Sequence, residues 1–206
     1  VSNNTFQDAH GIGVLIVKST GPATFNGTFA NNTLGVLGVA NSGSLEGDGV
    51  KVQNAGLGSV TIAITGNVIR WYNLYGVELY TGGGASPLSG SLNATFSGNT
   101  IANPGNNPAV DIDKNGLQLN AGNTVGDTYC VFLNIGTNSI TGSGGPAPVS
   151  GGGSIDFRLR QRQSTTVRLS GYSGSATSTS AVVSYVQGVI GGSPTGLAPY
   201  GPIVDG

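Results

Sequence analysis

Charge is scarce in this 206-residue chain: Asp, Glu, Lys and Arg together supply 8% of it, against roughly 25% in an average soluble domain. Lys and Arg number 8 against 9 Asp and Glu, for a net charge of −1. That balance excludes the positive field that nucleic acid or an anionic membrane surface requires. A single cysteine, Cys130, rules out an internal disulfide framework. There is no Met and only one His. His10 has no Ser or Cys motif beside it, so a nucleophile–His–acid arrangement lacks support and a surface or structural role is expected. No apolar run reaches the length of about 18 residues needed for a membrane-spanning helix, and no basic, apolar leader opens the chain. Val1 falls inside a phrase that recurs later, so the chain reads as a mature or trimmed part of something longer.

What the chain does contain is turn and strand material. Glycine contributes 37 residues and the apolar types 37% of the chain. Low charge with this much apolar content is not the signature of disorder. It suits short strands joined by tight turns, with Gly and Asn at the bends and Val, Ile and Thr in the pleats. Size allows one domain with a sizeable core. The single Cys, the absence of Met and the low Lys content suit a secreted or cell-surface protein.

One turn phrase recurs. Asn3-Asn4-Thr5-Phe6, Asn31-Asn32-Thr33-Leu34, Gly66-Asn67-Val68-Ile69, Gly98-Asn99-Thr100-Ile101 and Thr137-Asn138-Ser139-Ile140 are versions of it. The central residues Asn4, Asn32, Asn67, Asn99 and Asn138 are 28, 35, 32 and 39 apart, the drifting period that loop insertions give a solenoid. Strict alternation precedes three of them: Val60, Ile62 and Ile64; Leu92, Ala94 and Phe96; Val131, Leu133 and Ile135. Period 2 places each triplet on one face of a strand. A second alternating strand is expected at Val50-Lys51-Val52, Val77-Glu78-Leu79, Val110-Asp111-Ile112 and Ile155-Asp156-Phe157. Together these predict a right-handed parallel β-helix, with an antiparallel β-sandwich as the competing arrangement of many short strands. The corner asparagines should tolerate the left-handed conformation and form a ladder from rung to rung.

Rungs are expected over 1–157. A closing segment over 158–206 should hold a helix at about 179–188, capped by Thr179 or Ser180 and stopped by Gly188, followed by a Gly/Pro-rich tail. The Asn-Thr-Ile rungs, the strand near Cys130, Arg158-Leu159-Arg160-Gln161-Arg162, Thr165-Thr166-Val167-Arg168-Leu169 with Gly171-Tyr172, and the segment from Ala181 to Gly188 follow in that order. In this the chain resembles the closing region of large bacterial surface β-strand-repeat proteins, the autotransporter- and adhesin-like parallel β-helices. The resemblance covers nearly the whole chain; its rungs are unspecific and its arginine segment more specific. It implies a scaffold or adhesin at the cell surface. One departure is that more than one Cys is expected of such chains.

Several residues are candidates for chemistry. Asp111 and Asp113 lie two apart with Lys114 beside them, a weak Ca²⁺ pair; no other cofactor is expected. Aligned rungs should bring Lys51, Glu78, Asp111 and Asp156 to one outer face, the raw material of a polysaccharide lyase or hydrolase. The competing account of these charges is solubility of an exposed sheet. Trp71, Tyr72, Tyr75 and Tyr80 form the best glycan-stacking candidate, against a packed corner or a subunit contact. Arg158, Arg160 and Arg162 alternate and should form a polar lid or pair with Asp156 and Asp127. Cys130 should be a covered, inert thiol. No catalytic residue is assigned. The function these readings favour is a non-enzymatic scaffold or adhesin that joins itself end to end into filaments through open strand edges. A polysaccharide-active or glycan-binding β-helix is the alternative.

Overall fold

The structure, a computed structural model, describes residues 1–84, 87–107, 114–143, 155–191, 196–197 and 203–205. In chain order the elements are β1 (Thr5–Phe6), β2 (Val14–Lys18), β3 (Phe25–Ala30), β4 (Thr33–Leu34), β5 (Val50–Asn54) and β6 (Ser59–Thr65). β7 (Val68–Ile69), β8 (Val77–Thr81), β9 (Ser91–Ser97), β10 (Thr100–Ile101), β11 (Leu117–Ala121) and β12 (Cys130–Ile135) follow. The last are β13 (Ser139–Ile140), β14 (Phe157–Gln161), β15 (Thr166–Leu169), α1 (Thr179–Ile190), β16 (Gly196–Leu197) and β17 (Ile203–Asp205). Through β15, every third strand joins the same sheet. The orders are β1-β4-β7-β10-β13, β2-β5-β8-β11-β14-β16 and β3-β6-β9-β12-β15-β17, and all of these pairings are parallel. The chain is a parallel β-solenoid with three faces, not a sandwich.

Its core is made by stacking like on like. Val60, Leu92, Val131 and Val167 are partners in register, as are Ile64, Phe96 and Ile135, and all are buried. The second sheet stacks Val50, Val77, Leu117 and Phe157, and the short corner strands stack Leu34, Ile69, Ile101 and Ile140. Each inward row is therefore a continuous apolar column, the main source of stability in a fold whose rungs touch only their neighbours.

Register corrects two of the expected strands. Val110-Asp111-Ile112 lies outside the described residues, and the place opposite Val77-Glu78-Leu79 is taken by Leu117-Gln118-Leu119. In the next rung the partner is Phe157-Arg158-Leu159, two residues beyond Ile155-Asp156-Phe157. A period of two cannot detect a slip of two, because every side chain keeps its face. For β11 the discriminating feature is the glycine before the strand; β14 is preceded instead by Asp156. Gly49, Gly76 and Gly116 stack there so closely that a Cβ on Gly49 would lie 2.7 Å from the Gly76 carbonyl oxygen, and one on Gly76 2.6 Å from that of Gly116.

The corner also differs in detail from expectation. Thr137, before Asn138, is not left-handed, but the residue before each of the other four ladder asparagines is: Asn3, Asn31, Gly66 and Gly98 have φ between 55° and 67°. This is why the phrase carries Asn or Gly in that place.

The stack runs further than residue 157, since β14 and β15 continue both long sheets. The arginine segment is therefore a rung strand, with Leu159 inward, and not a lid. Helix α1 begins at an N-cap, Ser178, whose Oγ accepts from the Ala181 N–H at 3.3 Å. It runs past Gly188 to Ile190, because Val182, Val186 and Ile190 form one buried stripe. Gly188 lies on the exposed side with open space around it. Gly191, at φ 84°, provides the stop.

Candidate functional site

The five corner asparagines form one hydrogen-bonded column. The backbone N–H and Nδ2 of Asn32 both donate to Asn67 Oδ1, at 2.9 and 3.0 Å. The same pair of bonds runs from Asn4 to Asn32, from Asn67 to Asn99 and from Asn99 to Asn138. The remaining amide proton reaches an inward turn carbonyl, as from Asn67 to Phe29 and from Asn99 to Ile64. The column thus satisfies buried turn amides that a corner would otherwise strand. Its role is structural, as its periodicity suggested.

The column ends differently at its two extremes. Beyond Asn138 there is no further asparagine corner. The Asn138 N–H donates instead to the Ile190 carbonyl at 3.0 Å, so the C-terminus of α1 stands where the next Oδ1 would be. The helix covers that end of the core, while β16 and β17 pair with β14 and β15. At the opposite extreme β1, β2 and β3 are the outermost strands of their sheets. Asn4 is exposed there, and among the described residues its Oδ1 accepts no hydrogen bond. The inward residues Val14 and Ile16 are only half-buried, whereas their partners Val50 and Val52 are fully buried. Phe25 is 39% exposed and Leu15 54%.

The outer charges gather on the second sheet, though not as predicted. Lys51 and Glu78 are register partners and pair at 2.5 Å. Gln118, not Asp111, continues their row, followed by Arg158. The Glu78 carboxylate also accepts from Asn120 Nδ2 at 2.6 Å. Asp48, which the sequence reading passed over, lies against it. The Asp48 carboxyl accepts the Tyr75 N–H at 3.2 Å and shares a hydrogen bond with Glu78. Burial first, and the Glu78 charge second, push the Asp48 carboxyl up to about 8, partly offset by Lys51. Burial beside Glu78 thus favours the protonated form of Asp48. The only hint of it in the sequence is an acid between two glycines just before an inward strand.

This pair is not laid out for glycoside chemistry. Asp48 and Glu78 are within hydrogen-bonding reach of each other, closer than the separations of about 5–9.5 Å that glycoside hydrolysis uses. Asp48 and Glu78 are also 1% and 3% exposed. The cluster is a closed polar packing unit on the flank of the stack.

The remaining candidates scatter. Asp111 and Asp113 lie outside the described residues; among those described, no group of three His, Cys, Asp or Glu would hold a metal ion. The aromatic quartet does not form one exposed face, which corrects the stacking-patch expectation. Tyr72 is fully buried, with its hydroxyl 2.9 Å from Ser143 Oγ, and burial raises its phenol well above the ordinary value. Trp71 turns outward at the same corner, where its Nε1 donates to the Val36 carbonyl at 2.7 Å. Tyr80 lies under Lys51, with Nζ 4.5 Å from its ring centroid. A corner turns successive side chains in different directions, so nearness in sequence is not shared exposure.

Asp127 is buried, and its carboxylate accepts three backbone N–H groups, from Leu88, Asn123 and Thr124. Cys130 is half-buried and lies in an outward row between Ser91 and Thr166. His10 is exposed, 3.6 Å from Glu46.

No family model, no curated protein and no solved structure matches the chain. The fold alone defines its class: a parallel β-solenoid with a helix closing one end.

Proposed function

We propose that this protein is a non-enzymatic structural module of an extracellular or cell-surface scaffold, closing a β-helical stack at one end and joining a partner at the other. The observation that carries this reading is the difference between the two ends. One is sealed by α1, with the Ile190 carbonyl terminating the asparagine column. The other presents three strand edges, a corner acceptor on Asn4 and partly bare core residues. Unpaired strand edges above an apolar end are association-competent surfaces. The Ser-, Thr-, Asn- and Gly-rich composition and the likeness to surface β-helices support the location.

Sedimentation velocity across a concentration series tests this. The purified chain should show reversible dimers joined through their open ends. Replacing the exposed Leu15 and Val17 together by lysine should leave monomers, because charged edges resist pairing. Monomers at every concentration of the unaltered chain would overturn the reading.

A further inference from the structure

The second sheet ends in a strand whose outer edge is patterned to pair with its own copy. Among the described residues β2 pairs with β5 on one side only. The Val14 N–H donates to the Gly49 carbonyl, and the Lys18 carbonyl accepts the Ala55 N–H. Alternate residues of a parallel strand serve the same neighbour, so Val14, Ile16 and Lys18 direct their backbone groups to β5. Leu15 and Val17 direct theirs to the open edge.

The other two sheets offer less edge. β1 has 2 residues. β3 is flanked over its second half by Val1, whose nitrogen donates to the Thr28 carbonyl at 2.8 Å and whose carbonyl accepts the Ala30 N–H at 3.0 Å. β2 also lacks the guards that usually keep an edge from pairing, charge and proline. It contains no proline, and its one charge, Lys18, is tied back to the corner, with Nζ donating to the Gly21 carbonyl at 2.7 Å. Its outward side chains, Leu15 and Val17, are 54% and 43% exposed.

We infer that, with this end the junction proposed above, its partner is a second copy joined by antiparallel pairing of β2 with β2 about a two-fold axis at Ile16. Symmetry sets the orientation. A two-fold axis normal to the second sheet reverses the strands and keeps both cores on the same side of it. An axis along the strand would keep the strands parallel but turn one core outward. With the axis at Ile16 all 5 residues of β2 overlap: Val14 faces Lys18 of the second copy, Leu15 faces Val17, and Ile16 faces Ile16. Leu15 and Val17, whose backbone groups point to the edge, then form the hydrogen-bonded pairs, and the two Ile16 residues form the close pair between them. The exposed Leu15 and Val17 side chains cover one another on the outer face. The half-buried Ile16 residues meet on the core side, in an isologous joint.

Disulfide cross-linking of the full chain carrying Cys130→Ser tests the register. Ile16→Cys should give a covalent dimer on oxidation, because facing Cα atoms of a close pair are about 4.5 Å apart, within disulfide reach. Leu15→Cys should not link to its own copy, which lies diagonally across the axis at about 7–8 Å. Chains with Leu15→Cys mixed with chains carrying Val17→Cys should link to each other. Val17→Pro removes an edge-facing N–H and leaves the bonds to β5 in place. It should weaken dimerisation in sedimentation about tenfold or more, with circular dichroism preserved. Dimers that persist in sedimentation while Ile16→Cys stays unlinked overturn this pairing and leave the junction standing. Dimerisation of Val17→Pro at the strength of the unaltered chain also overturns the pairing. An unaltered chain that is monomeric at every concentration overturns the junction itself, and the pairing with it.

Discussion

Replacing Asp48 by asparagine should make the fold more stable at mildly alkaline pH while leaving it nearly unchanged in acid. The asparagine is isosteric with the protonated carboxyl: its Oδ1 still accepts the Tyr75 N–H, and its Nδ2 donates to Glu78 in place of the acid proton. The ordinary carboxyl value is 3.8 and the folded value about 8. Between those limits the native chain holds a proton that the unfolded chain has released, so stability falls as pH rises through the window. It is intact below about 4 and fully lost by about 8. At 1.36 kcal/mol for each pKa step, the ceiling on this loss is about 6 kcal/mol. Local relaxation and water entry lower the realised cost of a buried charge, so about 2 kcal/mol between pH 5 and pH 8.5 is expected. Urea unfolding followed by circular dichroism at the two pH values measures it, provided the slope m stays constant. The parent should lose stability toward pH 8.5, and Asp48→Asn should lose much less. Equal destabilisation of the variant at both pH values would refute the protonated pair.

Other substitutions separate the parts of the stack. Asn67→Ala strands buried donors and carbonyls on two neighbouring rungs and should cost about 3 kcal/mol in urea unfolding. Asn4→Ala, at the exposed end of the same column, should cost less than about 1 kcal/mol. Gly76→Ala drives a Cβ against the Gly116 carbonyl oxygen and should cost about 2–3 kcal/mol. Gly188→Ala, in open space on α1, should instead add about 0.5–1 kcal/mol, readable as a rise in Tm.

By itself the sequence determined the solenoid, because period-two alternation and a recurring corner phrase are local signals. Val60, Ile62 and Ile64, the two triplets after them and the asparagine column could all be read from spacing. What it left open was register. The segment from Val110 to Ile112 and that from Leu117 to Leu119 have the same alternation, and only the stacked glycines before β5, β8 and β11 choose between them. Solvation was equally hidden. Tyr72 sits inside the corner and Trp71 outside it, and Glu78 occupies an outward position yet is buried. The Asp48–Glu78 pair joins residues thirty apart through one rung step, and the Asp48 carboxyl is raised because folding takes it out of water. The contrast between a helix-sealed end and an open one likewise belongs to the assembled stack: Ile190 and Asn138 are brought together only by the folded rungs, and no local pattern in either residue announces that contact.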